Sequence, residues 1–141
     1  LHSHSGAAEG WRSEESFSDG TLRLIGLLWS LQEGGPVLLL EEPELSLNEG
    51  IAERLPEVME RLRNGSSKRS QLVICTQSEA LLSNPGIDGR GVIALEVGAQ
   101  GSRGRVLNAQ EMEALDAGFS VAEAVLPKLR PEFLNRLGLK E

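Results

Sequence analysis

Val37-Leu38-Leu39-Leu40-Glu41-Glu42-Pro43-Glu44 is the stretch on which the fold turns. Its unbroken apolar run marks a strand covered on both faces, as strands in parallel sheets are. The run then stops on two successive carboxylates. In open α/β sheets the ligand crevice lies outside the carboxyl ends of the strands. Glu41 and Glu42 therefore stand where acids hold a hydrated metal ion and polarise water. Neighbouring strand residues point in different directions, so the two have different jobs, one facing Mg²⁺ through water and the other the attacking water. The simpler alternative is a strand that emerges into solvent with acids at its tip, but Glu-Glu-Pro-Glu after a buried run is a fairly specific string.

Upstream, Thr21 to Gln32 is apolar on most sides, with Leu22, Leu24, Ile25, Leu27, Leu28, Trp29 and Leu31, and predicts a helix buried on more than one face. Gly34-Gly35-Pro36 ends it. Ser18-Asp19-Gly20-Thr21 opens it, and a Ser and a Gly there offer a hydroxyl, free N–H groups and the positive end of the helix dipole to an anion. A plain helix cap explains the same residues.

Downstream, Asn48 caps a helix with Ile51, Leu55, Val58, Met59 and Leu62 at helical spacing, and Pro56 predicts a kink or break within it. Leu72 to Cys75 is a second short buried strand, ending in Thr76-Gln77-Ser78 at the same sheet edge as Glu41 and Glu42. Ser78 caps a short helix, Val92 to Val97 is a third strand, Gly98 to Gly104 a flexible hairpin connection, and Val106-Leu107 a return strand. Asn108 with Glu111, and Ser120 with Glu123, have capping-box spacing, and Pro131 suits the first turn of a last helix. Alternating strands and helices give an α/β fold with a mainly parallel sheet and a helical tail. The gaps from Ser18 to Glu41 and from Glu41 to Gln77 each suit one crossover.

Phe17-Ser18-Asp19-Gly20-Thr21-Leu22-Arg23 resembles the ABC signature of RecF- and SMC-like ATPases, especially the AAA-type ATPases of bacterial defence and repair. Leu38 to Glu44 is similar to their Walker B, Leu45-Ser46-Leu47-Asn48 stands where their D-loop follows, and Thr76-Gln77-Ser78 stands where their switch usually reads Thr-His-Ser. The resemblance covers about residues 12–97 and implies a partial P-loop NTPase fold of the ABC type; with the aperiodic leader at 1–17 and the helical tail at 108–141 set apart, the expected lobe is 18–107. It further implies that Glu41 positions Mg²⁺ and that Glu42 is the general base orienting water toward the γ-phosphate of ATP. Ser18, Asp19, Gly20 and Thr21 would form the nucleotide-facing segment, Ser18 and Gly20 meeting the γ-phosphate held by the opposite protomer. Gln77 would occupy the switch position, donating a hydrogen bond but unable to carry a proton as His does.

A P-loop needs Gly-Lys-Ser or Gly-Lys-Thr. Lys68, Lys128 and Lys140 follow Ser67, Pro127 and Leu139, so none is a Walker A lysine. The chain is therefore expected to be inactive alone and to depend on an N-terminal lobe that carries Walker A. ATP and Mg²⁺ would then bind in a head-to-head homodimer serving DNA repair, chromosome maintenance or bacterial defence. Without that lobe an apolar sheet edge and part of the core should be exposed. A different class of reading is an interaction module that keeps the fold and never binds ATP. A hydrolase using Glu41 and Glu42 as an acid–base pair is disfavoured, because strand neighbours poorly flank one bond.

The 141 residues suit one compact domain, and the net charge of −7 excludes a surface basic throughout. The family implies DNA as a partner, yet Arg61, Arg63, Lys68 and Arg69 at a helix end are explained by the dipole alone. The lone Cys75 cannot form an internal disulfide and points to a reducing cytoplasm. No run is long enough to span a bilayer. His2 and His4 lack the further ligands of a metal site.

Overall fold

The computed structural model describes residues 2–3, 11–65, 71–98 and 101–129. The chain divides into two compact units, Leu1–Thr76 and Gln77–Glu141. The expectations placed on His4, Lys68, Arg69, Pro131 and Lys140 lie outside the described residues.

In the first unit β1 (His2–Ser3) pairs antiparallel with β2 (Trp11–Arg12). A 3-10 turn at Glu14–Ser16 leads into α1 (Asp19–Glu33). Ser18 caps α1, its Oγ accepting from the Thr21 N–H at 3.2 Å. Gly34 ends it at φ 69°, where a residue without Cβ turns the chain at little cost. After β3 (Val37–Glu41), α2 (Glu49–Gly65) crosses over to β4 (Gln71–Cys75). Asn48 caps α2 through the Gly50 N–H at 3.0 Å. Pro56 sits inside α2 without breaking it. A proline removes one N–H bond, and the buried positions Ala52, Leu55 and Met59 on either side of it hold the helix together where it packs on α1.

β3 and β4 pair in parallel and in register, from Val37 opposite Gln71 to Glu41 opposite Cys75. The expected burial of both faces is not found. Leu38, Leu40, Leu72 and Ile74 are half-buried, whereas Leu39 is 72% exposed and Val37 and Val73 about half. Helix α1 differs in the same way: it buries Leu27 and Leu31 but exposes Leu22, Ile25 and Trp29. The physical reason is common to both, since among the described residues nothing shields these faces from solvent.

The second unit begins with α3 (Glu79–Leu82), capped by Ser78 through the Leu81 N–H at 3.3 Å. β5 (Ile93–Gly98) and β6 (Gly101–Val106) form an antiparallel hairpin, Ile93 opposite Val106. The return strand is longer than its two apolar residues suggest, because ladder bonds hold Gly101 to Gly104 in the strand. Helices α4 (Ala109–Asp116) and α5 (Val121–Leu129) follow, with Pro127 inside α5. Both capping boxes form: the Asn108 N–H donates to Glu111 at 2.8 Å, and the Ser120 N–H to Glu123 at 2.8 Å. Ala94, Leu107, Val121, Ala124 and Val125 make the core of this unit.

Candidate functional site

The candidate site is built on the backbone beyond β3. Glu41 is the last residue of the strand and lies exposed opposite Cys75. The Glu42 N–H donates to the Cys75 carbonyl at 2.8 Å, so the ladder runs one bond past the strand. At Glu42 the chain turns with φ 42°, in the left-handed region that a side chain rarely adopts. Two short bonds shape the loop that follows, Leu45 N–H to the Glu42 carbonyl at 3.0 Å and Leu47 N–H to the Glu44 carbonyl at 2.9 Å. Ser46 is again left-handed, at φ 68°. Strained backbone of this kind costs about 1–3 kcal/mol per residue and persists only where its surroundings over-determine it.

Two contacts fix the loop from outside. The Thr76 hydroxyl, just beyond β4, donates to Glu44 Oε1. The other carboxylate oxygen, Glu44 Oε2, is shielded from solvent and accepts no hydrogen bond among the described residues. On the opposite flank the buried Gly20 presses against Ser46: a Cβ built at Gly20 would fall on the Ser46 carbonyl oxygen and within 3.1 Å of its carbon. The first turn of α1 therefore lies directly against the loop after β3.

Of the residues singled out in the sequence, Glu41, Glu42 and Thr76 converge at the carboxyl edge of the parallel pair. Ser18, Asp19, Gly20 and Thr21 form the N-terminus of α1, where Ser18 Oγ and Thr21 Oγ1 are 2.9 Å apart. Ser18 and Asp19 are exposed and Thr21 is half-buried. Gln77 is exposed and opens the second unit. The sequence reading gave Glu44 no role and Ser46 only a place in a loop. Strand register was the absent signal: once Glu41 faces Cys75, a carboxylate three residues on is within reach of Thr76.

Among the described residues no three His, Cys, Asp or Glu side chains converge on one point as a ready metal cage. A Mg²⁺ held by one or two carboxylates, water and substrate phosphates needs none, and the exposed carboxylate of Glu41 at a strand end suits that arrangement. Among the described residues no helix is long and apolar enough to cross a membrane.

No curated protein matches the chain in sequence. A solved structure described as "Structural biochemistry of ATP-driven dimerization and DNA stimulated activation of SMC ATPases" matches at TM-score 0.55 and 18% identity. The match covers 84% of this chain and 65% of that one, so the chain spans less than two thirds of its neighbour's length. The likeness is one of fold. The model of one family, "AAA domain, putative AbiEii toxin, Type IV TA system", matches residues 2–83, more than half of the chain. The chain belongs to that family, and it carries part of the P-loop NTPase fold in the form shared with ABC- and SMC-type ATPase heads.

Proposed function

We propose that this chain is the part of an ABC-type ATPase head that supplies the signature, Walker B and switch segments, acting with an N-terminal lobe that carries Walker A. The observation that supports this most is the in-register parallel pairing of β3 and β4, with Glu41, Glu42 and Thr76 at one edge and Gly20 packed on the loop between them. Three segments that are separate in sequence thereby serve one edge of a sheet.

In this reading Glu41 holds a water of the metal ion and Glu42 orients the attacking water toward the γ-phosphate of ATP. Mg²⁺, when bound, neutralises charge on the phosphate oxygens. The N-terminus of α1 offers the Ser18 hydroxyl, the Gly20 and Thr21 N–H groups and the helix dipole to the γ-phosphate bound by a partner head. Asp19, negative beside that phosphate, is best suited to meeting a cation or a donor of the partner. Gln77 donates a hydrogen bond from the switch position. Two heads sandwich ATP, and the cycle serves a DNA-linked task in repair, chromosome maintenance or defence. The free thiol of Cys75 suits a cytoplasmic protein.

The test is ATP binding and turnover by the chain alone and together with a lobe that carries a Gly-Lys-Ser or Gly-Lys-Thr loop. The chain alone should neither bind nor hydrolyse ATP. The pair should do both. Glu42→Gln should then keep binding and reduce turnover by about 10²–10⁴-fold, as loss of a general base does. Should the pair fail to bind ATP, the chain is a non-catalytic interaction module.

A further inference from the structure

The Glu42 N–H ties the start of the loop after β3 to the Cys75 carbonyl, and further along the loop the Thr76 hydroxyl is bonded to Glu44. We infer that Glu44 is a positioning residue for the candidate general base Glu42, acting through this side-chain bond to Thr76. The inference rests on the proposed ATPase reading for its catalytic consequence, though not for the linkage itself.

Glu42 is a strained point of the loop. Its left-handed backbone is unfavourable for a residue with a side chain, so something must hold it there. Its N–H is fixed by Cys75 and its carbonyl accepts from Leu45. The short turn between Glu42 and Leu45 contains Pro43, whose φ is locked, and Glu44. The Glu44 side chain closes the turn onto the end of β4, across thirty-two positions of sequence. Its carbonyl also anchors Leu47, one residue past the left-handed Ser46 that Gly20 packs upon. A carboxylate with one oxygen shielded and without a hydrogen bond depends on what the other oxygen accepts. If the Thr76 hydroxyl is removed, the carboxylate has reason to swing into water, and the turn that carries Glu42 loosens with it.

Amide hydrogen exchange on the 141-residue chain reads the linkage directly. Thr76→Val keeps the shape of the side chain and removes the donor. It should speed exchange of the Leu45 and Leu47 amides, which lie on the other strand's loop, by about tenfold or more, as local opening does. Glu44→Ala should do the same, and the double variant should add little to either. Glu44→Gln keeps an acceptor for Thr76 and should restore slow exchange. If Thr76→Val leaves the Leu45 and Leu47 amides unchanged, the linkage is wrong.

In the ATPase assembled with the Walker A lobe, Thr76→Val and Glu44→Ala should lower kcat about ten- to a hundredfold, the cost of a slightly misplaced catalytic group. KM for ATP should hold within about twofold, and Glu44→Gln should recover most of the rate. Equal losses in kcat for Glu44→Gln and Glu44→Ala, or a change confined to KM, would overturn the positioning role. If the unaltered assembly shows no turnover, the proposed function fails, while exchange still decides whether Glu44 and Thr76 form one unit.

Discussion

Gly20 and Gly26 occupy the same helix, and a methyl group means opposite things at the two. At Gly20 it falls on the Ser46 carbonyl; at Gly26 it meets nothing within 4 Å. Gly20→Ala should cost about 1–3 kcal/mol through forced backbone displacement, less whatever the helix gains from alanine. Gly26→Ala should stabilise by up to about 1 kcal/mol, the gain in helix propensity alone. Urea denaturation of the two variants should show midpoints moving in opposite directions. The sequence made Gly20 a candidate for phosphate contact, and the structure adds a steric reason for glycine that no local pattern contains. Caps were readable at this scale because the signal is local: Ser18, Asn48, Ser78, Asn108 and Ser120 each precede the helix they cap. The Glu44 to Thr76 bond was not, because it needs the pairing of two strands far apart in sequence.

Elements were readable where periodicity and punctuation agreed, and less so where the neighbour decides. The apolar run at Val37 to Leu40 predicts its strand correctly and its burial incorrectly, since a run of hydrophobic residues records what a face is made for, not what covers it. Val92 to Val97 reads as a third strand answered by a return strand at Val106-Leu107, but nothing there says that the return strand begins as early as Gly101. In the first turn of α4 sits the fully buried Glu111, which accepts from Arg105 of β6 at 2.7 and 2.9 Å and lies 3.6 Å from Lys128. The Arg105 guanidinium holds the Glu111 carboxyl at about 2, against an ordinary 4.5. A depressed carboxyl contributes stability that is complete above 4.5 and is lost as pH falls through that value toward about 2. Thermal melting of the Glu111 contacts, followed by near-neighbour probes on α4 and β6, should therefore be flat above pH 5 or so and fall steeply below it. Glu111→Gln should lower stability at neutral pH and flatten that acid limb. An unchanged acid limb would show that other carboxylates govern it.

At the scale of the molecule, the α/β class was legible, and the division into two units at Thr76 and Gln77 was not. The boundary falls inside the continuous polar run Thr76-Gln77-Ser78, which gives no hint of a break in packing. Among the described residues the first unit exposes Leu39, Val37 and Val73 from its sheet and Trp29, Ile25 and Leu22 from α1, and apolar side chains that gather into a patch mark association surfaces. The isolated chain should bind a dye such as ANS strongly and self-associate as its concentration rises. Leu39→Thr with Val73→Thr should reduce both, with a modest loss of stability because Leu39 is mostly and Val73 about half in water already. Dye binding at the level of a closed globular domain would contradict the open face.

The same open face has a meaning for the life of the protein in a cell. Chaperones and proteases recognise folded chains by the hydrophobic surface they leave uncovered, and abundance follows the fraction of time that surface is on view. A chain with Leu39 and Trp29 outside is marked for removal until something sits over them. In the assembly proposed above, its level should then track that of whatever covers it, and the apolar face would keep the parts of that assembly in proportion.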